Sequence, residues 1–333
     1  MAESAASQPP EGEGRIPDFF VVGHEKCGTT ALYEMLRGHP LVFMPRLKEP
    51  RFFSPDMRVR ERAAAAGRRP RDLESYRALF APARPDQRVG EASPQYLGSH
   101  VAAERIAALQ PAAKIVAILR EPVSYLHAMH RQNVKGLLED QRDLHAAMAL
   151  ERDRRAGRLE LPGNQASPVR LLYSEHVRYQ EQLLRYEARF PRAQILVLIY
   201  EEYQRENEPT VRGVWRFLDL DDSPPVRIPD GRGARKAVRF MPLHKLSRAV
   251  KIAHHSEAAR SPLADAVYAL TPRPAVDLWR RLVYSRPAGD AGPAGGATAA
   301  LDRELRRRLK PEVQALGEHL GRDLVSLWGY DRL

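Results

Sequence analysis

The sequence predicts an α/β fold with a central parallel sheet covered by helices on both faces. Three near-continuous apolar runs support this prediction, and helical sequence surrounds each of them. The runs are DFFVVG near residue 18, KIVAILR from Lys114 to Arg120, and QILVLIY from Gln194 to Tyr200. Strands that are apolar along their whole length are typical of parallel sheets buried on both faces.

The remaining elements follow from apolar spacing along the chain. A helix is predicted from Thr29 to Arg37, where Ala31, Leu32, Met35 and Leu36 recur at helical intervals. A short strand, RVGEAS, precedes the second apolar run, and SHVAAERIAALQ and SEHVRYQEQLLRYEARF supply crossover helices. Parallel strands are thus expected near residues 18, 88, 114 and 194, with a mostly helical last third.

The chain is expected to form one domain over residues 16–333, after a disordered tail over residues 1–15. The tail, MAESAASQPPEGEGR, is polar and has no apolar signal core. Segments near 57–72 and 285–300 are biased in composition and are expected to be flexible or inserted. The C-terminal segment is predicted to pack back on the core through Leu316, Leu320, Leu324 and Trp328.

Composition limits the classes of partner. The net charge of +11 favours anionic ligands, but the arginines are scattered, so we expect no nucleic-acid partner. The single cysteine, Cys27, excludes an intramolecular disulfide and a cysteine-based zinc cluster, and it fits a reducing compartment. Because no apolar run reaches the ~18 residues of a membrane span, we expect a soluble, cytoplasmic protein with no membrane partner. The oligomeric state stays open.

The stretch GHEKCGTT, residues 23–30, is similar to a nucleotide phosphate loop with its lysine displaced. Gly23 and Gly28 keep the spacing of G-x-x-x-x-G-K-[ST], but Thr29 occupies the lysine position and the lysine is Lys26. Amides at the helix start and the Thr29 and Thr30 hydroxyls still make an anion cradle. The pattern alone equally fits an ordinary glycine-containing turn.

Both later apolar runs end without the aspartate that a magnesium-nucleotide site needs. Arg120 and Tyr200 end them, and glutamates follow. This disfavours an ATP site, and the fold is expected to be three-layered and P-loop-like.

Five segments in order resemble the sulfotransferases that use 3′-phosphoadenosine 5′-phosphosulfate (PAPS), of the carbohydrate and heparan-sulfate type and their bacterial relatives. KCGTT after FFVVG, followed by LYEMLRGHP, resembles their 5′-phosphosulfate loop. The later segments are KEPRFF (48–53), GEASPQY (90–96), LREPVSYLHAMH (119–130) and the C-terminal GRDLVSLWGY. The resemblance covers most of the chain.

The resemblance implies transfer of a sulfuryl group from PAPS to a hydroxyl, or less readily an amine, of a saccharide or small metabolite. Glu91 would be the base that takes the acceptor proton, and Lys26 would stabilise the leaving phosphate. The loop residues Cys27, Gly28, Thr29 and Thr30 would hold the phosphosulfate. Lys48, Glu49 and His24 would lie near the acceptor, and no metal is expected.

The same resemblance implies a 3′-phosphate site at Arg120, whose guanidinium can bind a phosphate through two nitrogens. Ala128 stands where the family has a serine, so Ser124 is the candidate substitute. A basic loop from Gly231 to Pro242 would close over the donor through Arg235, Lys236 and Arg239. His127 and His130 are expected to be ordinary helix residues.

Alternatives remain at this point. One is a P-loop kinase or NTPase. Another is a catalytically weakened protein that binds PAPS or its product 3′,5′-adenosine bisphosphate (PAP), for which Ala92, in place of the family's lysine, and Ala128 are the evidence. A basic groove for nucleic acid is a further, weaker alternative. The acceptor is not given by the sequence, because residues 54–86 and 131–170 match no motif.

Overall fold

The computed structural model describes residues 15–57, 69–165, 167–228, 237–238, 284–285 and 296–333. The chain divides into two compact units. The first comprises Met1–Met57, Arg69–Glu121 and Tyr179–Pro229, and the second comprises Arg58–Arg68, Pro122–Arg178 and Asp230–Leu333. The expectation of a single domain stays a prediction.

The first unit is built on a five-stranded, fully parallel sheet with the strand order β2-β3-β1-β4-β5. The strands are β1 (Phe19–Gly23), β2 (Val42–Phe43), β3 (Arg88–Ala92), β4 (Lys114–Leu119) and β5 (Ile195–Ile199). The expected α/β class with a central parallel sheet is confirmed, and the four predicted strands are present. Strand β2 was not predicted, because two residues are too few to show a period.

Helices connect these strands and continue through the second unit. They are α1 (Thr29–Arg37), α2 (Leu73–Arg77), α3 (Ala102–Leu109), α4 (Pro122–Gly136), α5 (Leu144–Ala149), α6 (Glu151–Arg155), α7 (Tyr179–Glu187), α8 (Tyr200–Arg205), α9 (Asn207–Phe217), α10 (Gly296–Leu320) and α11 (Leu324–Leu327). The described residues also include a pair of short antiparallel strands, β6 (Ala237–Val238) and β7 (Tyr284–Ser285), and several short 3₁₀ helices. Helix α1 has the predicted bounds.

The core of the first unit follows from the apolar strands. Phe19, Phe20, Val21 and Val22 of β1 are completely buried, as expected for a central strand covered on both faces. Because all five strands are parallel, their carboxyl ends lie at one edge of the sheet, where ligand sites of open α/β sheets form. The segments after Gly23, Ala92, Leu119 and Ile199 therefore meet at that edge.

The second unit is helical apart from β6 and β7 among its described residues. Its core holds an ion pair between Arg154 and Glu139 at 2.7 Å, with side chains only 2% and 0% exposed. In the C-terminal segment Leu316, Leu324 and Trp328 are buried, and Leu320 is half-buried. Within the described ranges, no helix combines the length and apolarity needed to cross a bilayer.

Candidate functional site

The site begins at the loop between β1 and α1. Gly28 precedes the first helical residue and has a φ of 81°, a left-handed conformation that glycine adopts without steric cost. A Cβ on Gly28 would lie 2.8 Å from Cε1 of Tyr203, so the position also lacks room for a side chain. Thr29 is buried and Thr30 is exposed. The loop thus presents a helix start and an exposed hydroxyl at the carboxyl edge of the sheet.

Arg120 follows β4 and lies against this loop. Its Nη1 donates a hydrogen bond to the main-chain oxygen of Lys26 at 3.1 Å. The guanidinium carbon lies 4.7 Å from the ring centroid of Tyr200, the first residue of α8. Only 4% of Arg120 is exposed. The structure therefore brings the predicted 3′-phosphate residue to the loop that contains Lys26.

Lys48 and Glu49 reach the loop from the segment after β2. Lys48 Nζ donates to Thr30 Oγ1 at 3.1 Å and to Glu49 Oε1 at 2.9 Å. The Glu49 N–H donates to the Ala92 oxygen at 3.1 Å, which fixes the segment to the carboxyl end of β3. Three regions predicted from separate motifs are thereby joined.

Arg51 links the same segments, although the sequence reasoning did not single it out. Its Nη2 lies 2.6 Å from Glu49 Oε2 and 3.6 Å from Glu25 Oε1. Its main-chain N–H donates a hydrogen bond to Ser93 Oγ at 3.1 Å. Burial opposes ionisation of Glu49, but the charges of Lys48 and Arg51 prevail and hold its pKa below the usual value. Glu49 is therefore ionised at neutral pH. Arg51 directly follows Lys48, Glu49 and Pro50, and its place next to this motif is the sequence feature that could have identified it.

Unusual backbone conformations concentrate in this region. Lys26, Glu49 and Arg51 have φ values of 64°, 60° and 56°. Residues other than glycine seldom occupy this left-handed region, at a cost of roughly 1–3 kcal/mol each, and such residues cluster at functional sites.

Glu91 lies on β3 and is completely buried. Its Oε2 accepts hydrogen bonds from the hydroxyls of Tyr76 at 2.8 Å and Tyr96 at 3.0 Å. Burial raises the pKa of Glu91 to about 7, against the hydroxyls of Ser93, Tyr76 and Tyr96, which lower it. The Tyr96 hydroxyl also accepts from the N–H of Phe53 at 3.2 Å. Tyr96 thus links Glu91 to the main chain of Phe53 in the KEPRFF segment.

His24 and Cys27 are held inside the loop. His24 is 2% exposed, and its Nε2 lies 2.6 Å from Oε1 of Gln182 on α7. Burial raises the pKa of the Cys27 thiol to about 12, so it remains protonated at neutral pH. Any contact that Cys27 makes with a ligand is expected through its main chain. The link from His24 to Gln182, 158 residues away, left no local signal in the sequence.

Four further residues were predicted to bind the donor: Ser124, Arg235, Lys236 and Arg239. Ser124 is half-buried in the first turn of α4, in the second unit. Arg235, Lys236 and Arg239 lie outside the described residues, so their predicted role stays a prediction.

The composition of this edge indicates its ligand. Lys26, Lys48 and Arg120 supply positive charge, and the Thr30 hydroxyl and the start of α1 supply further donors. Such a set suits an anionic, phosphate-like group. The chemistry of these donor groups fits a phosphosulfate.

Comparisons with known proteins identify the family of the chain. The model described as "Sulfotransferase family" matches residues 17–224. Carbohydrate sulfotransferase 15 of Mus musculus is 27% identical over 256 residues, covering 62% of this chain and 44% of that protein. Heparan sulfate glucosamine 3-O-sulfotransferase 3A1 of Mus musculus is 29% identical over 212 residues, covering 63% and 47%. The chain therefore spans about half the length of these curated relatives.

A solved structure is similar over more of the chain. The sulfotransferase from Alicyclobacillus acidocaldarius superposes with a TM-score of 0.57 at 26% identity. The match covers 80% of this chain and 100% of that one. The expected resemblance to carbohydrate and heparan-sulfate sulfotransferases and their bacterial relatives is thus confirmed.

Proposed function

The chain belongs to the sulfotransferase family, and we propose that it transfers a sulfuryl group from PAPS to a hydroxyl of a saccharide. The observation that carries this proposal is the contact of Lys48 Nζ with Thr30 Oγ1 at 3.1 Å. It sets a lysine at the start of α1, beside a loop that already contains Lys26. Positive charge at a phosphate-type loop is what a phosphosulfate needs.

The proposed step is an in-line displacement at sulfur. The acceptor oxygen forms a bond to sulfur while the bond between sulfur and the bridging oxygen breaks, and the electron pair stays on the departing phosphate of PAP. Lys26 neutralises the negative charge that develops there. Thr29, Thr30 and the amides of the loop hold the 5′-phosphosulfate, and Arg120 holds the 3′-phosphate. Positioning and charge stabilisation supply the rate, as in phosphoryl transfer.

The acceptor proton needs a base, and two carboxylates are candidates. The Glu91 carboxyl is completely buried, and its Oε2 accepts hydrogen bonds from two tyrosine hydroxyls, whereas Oε1 accepts none among the described residues. Glu49 has a side chain that is 26% exposed, and its carboxylate neighbours the Lys48 ammonium, which contacts the loop. We therefore assign the base to Glu49, and to Glu91 the positioning of Tyr76 and Tyr96.

The saccharide acceptor is proposed from the relatives, whose names place carbohydrate and heparan sulfate as their substrates. A small-metabolite hydroxyl or an amine is the remaining possibility for the acceptor. A kinase is disfavoured because β4 and β5 are followed by Arg120 and Tyr200, with no aspartate to hold magnesium.

The test is transfer of labelled sulfur from PAPS to a panel of saccharides and small hydroxyl compounds. Lys26→Ala should reduce transfer by about 10²–10³-fold, as expected when a donor to a developing charge is removed. Lys310→Ala, which removes a lysine from α10 in the second unit, is the matched control and should leave transfer unchanged.

Three results would contradict the proposal. Equal transfer by Lys26→Ala and wild type would remove Lys26 from the reaction. Binding of PAP by calorimetry without sulfation of any acceptor would favour a catalytically weakened binding protein. Magnesium-dependent ATP binding without affinity for PAP would favour a kinase.

A further inference from the structure

Two histidines and an aspartate converge in the second unit, on three different helices. His127 lies on α4, His145 on α5 and Asp302 on α10. His127 Nε2 is 2.9 Å and 3.0 Å from the two carboxylate oxygens of Asp302, and His145 Nε2 is 2.9 Å from Oδ1. One candidate ligand atom from each residue lies within 4.8 Å of the others.

We propose that His127, His145 and Asp302 bind a divalent transition-metal ion, with Zn²⁺ as the best fit. Two imidazole nitrogens and one carboxylate form a donor set that suits Zn²⁺, whereas Mg²⁺ and Ca²⁺ prefer oxygen ligands throughout. The carboxylate supplies a negative charge that partly balances the ion. The inference is independent of the sulfuryl-transfer chemistry proposed above.

The geometry needs little change to accept the ion. In a tetrahedral zinc site, bonds of about 2.0–2.2 Å place neighbouring ligand atoms about 3.3–3.6 Å apart. The separations between each histidine nitrogen and Asp302, 2.9–3.0 Å, require an opening of roughly 0.3–0.7 Å, and all three ligand atoms lie within 4.8 Å of one another. Without metal, each Nε2 carries a proton and donates it to Asp302. With metal, each proton leaves Nε2 or moves to Nδ1, and the freed lone pair binds the ion.

The site retains access to water. The side chains of His127, His145 and Asp302 are 26%, 17% and 23% exposed. A water molecule therefore completes the coordination of the ion. Such a site would fasten α10 to α4 and α5, because each helix contributes one ligand.

The sequence gives no sign of this site. His127 and Asp302 are 175 residues apart, and His145 and Asp302 are 157 apart. His127 had been expected to be an ordinary helix residue, and only the fold reveals its neighbours.

The experiment titrates the metal-free full chain with Co²⁺, whose visible absorption reports the ligand geometry, and then displaces it with Zn²⁺. Wild type should bind one ion through this site. His145→Gln and Asp302→Asn should each weaken binding by at least about 100-fold, because loss of even outer-shell partners costs about 10–100-fold. The matched control is the double variant His254→Gln/His255→Gln, which removes an adjacent histidine pair outside the described residues and should leave binding unchanged.

A second measurement uses wild type alone, so the metal site can be tested even if a variant fails to fold. Zn²⁺ should protect His127 and His145, but not the exposed His100, from acylation by diethyl pyrocarbonate mapped by mass spectrometry. The proposal is overturned if wild type binds no Co²⁺, if only the control variant loses binding, or if Zn²⁺ protects neither histidine. Circular dichroism confirms that each variant is folded before its affinity is compared.

Discussion

The Lys48 ammonium lies 3.1 Å from the Thr30 hydroxyl, although 18 residues separate the two in the chain. This contact joins the segment after β2 to the first turn of α1. It thereby places an ammonium group, which only donates hydrogen bonds, beside the phosphate-type loop, whose usual lysine position is occupied by Thr29.

We predict that Lys48→Ala lowers kcat/KM for sulfuryl transfer by about 10–100-fold, since a hydrogen bond to a charged group contributes about 1.5–3 kcal/mol. Arg46→Ala is the matched control, because Arg46 is an exposed cation two residues away in the same segment. Steady-state kinetics on both variants make the comparison. Equal losses would mean that general positive charge matters and the contact with Thr30 does not.

We predict that Gly28→Ala destabilises the fold and weakens PAP binding. A left-handed alanine costs about 1–2 kcal/mol, and its Cβ would also press on Tyr203 at 2.8 Å. Gly157→Ala is the control: Gly157 has a φ of 68°, and a Cβ there meets nothing within 4 Å. Urea unfolding should show a smaller loss for Gly157→Ala, and calorimetry should show its PAP affinity unchanged. A PAP affinity unchanged in Gly28→Ala as well would contradict the role of the loop.

Much of this fold was predictable because its signals are local. The apolar runs of β1, β4 and β5 and the helical spacing of α1 each lie within a few consecutive residues. The same holds for the motifs that supply Lys26 and Lys48. Since parallel strands align their carboxyl ends, the edge at which these motifs meet also followed from the strand prediction.

The rest depends on packing between segments that are distant in sequence. Glu91 was expected to be the base, and that role stays a prediction, but its hydrogen bonds to the hydroxyls of Tyr76 and Tyr96 could not be read from the sequence. Tyr76 comes from α2, a helix of five residues that is too short to leave a clear period. Likewise, the ion pair between Arg51 and Glu25 and the left-handed conformation of Arg51 have no local signal in the sequence.

We predict that the buried carboxyl of Glu91 makes the fold less stable as the pH rises. The pKa of Glu91 is raised from 4.5 to about 7 in the folded protein, so between these values the folded state holds a proton that the unfolded chain has released. Its contribution to stability is therefore fully present below 4.5 and is lost as the pH rises through about 7.

Glu91→Gln should remove this part of the pH dependence, because glutamine stays neutral at every pH. The difference in unfolding free energy, variant minus wild type, should rise by on the order of 3 kcal/mol between a pH below 4.5 and a pH above about 7. Chemical denaturation across the pH range measures it. Glu74→Gln, at an exposed position of α2, is the control. Its free energy of unfolding should depend on pH as that of wild type does.

We predict that the pH dependence of kcat distinguishes the two candidate bases. If Glu49 takes the acceptor proton, activity should hold its plateau down to below pH 4.5, because Lys48 and Arg51 keep the pKa of Glu49 below its usual value. If Glu91 does so, activity should fall as the pH drops through about 7. Glu49→Gln should lower kcat by about 10²–10⁴-fold, the usual contribution of a general base.

Glu34→Gln, at an exposed glutamate on α1, is the control and should leave kcat unchanged. An acidic limb near pH 7 together with a near-normal Glu49→Gln would return the role to Glu91.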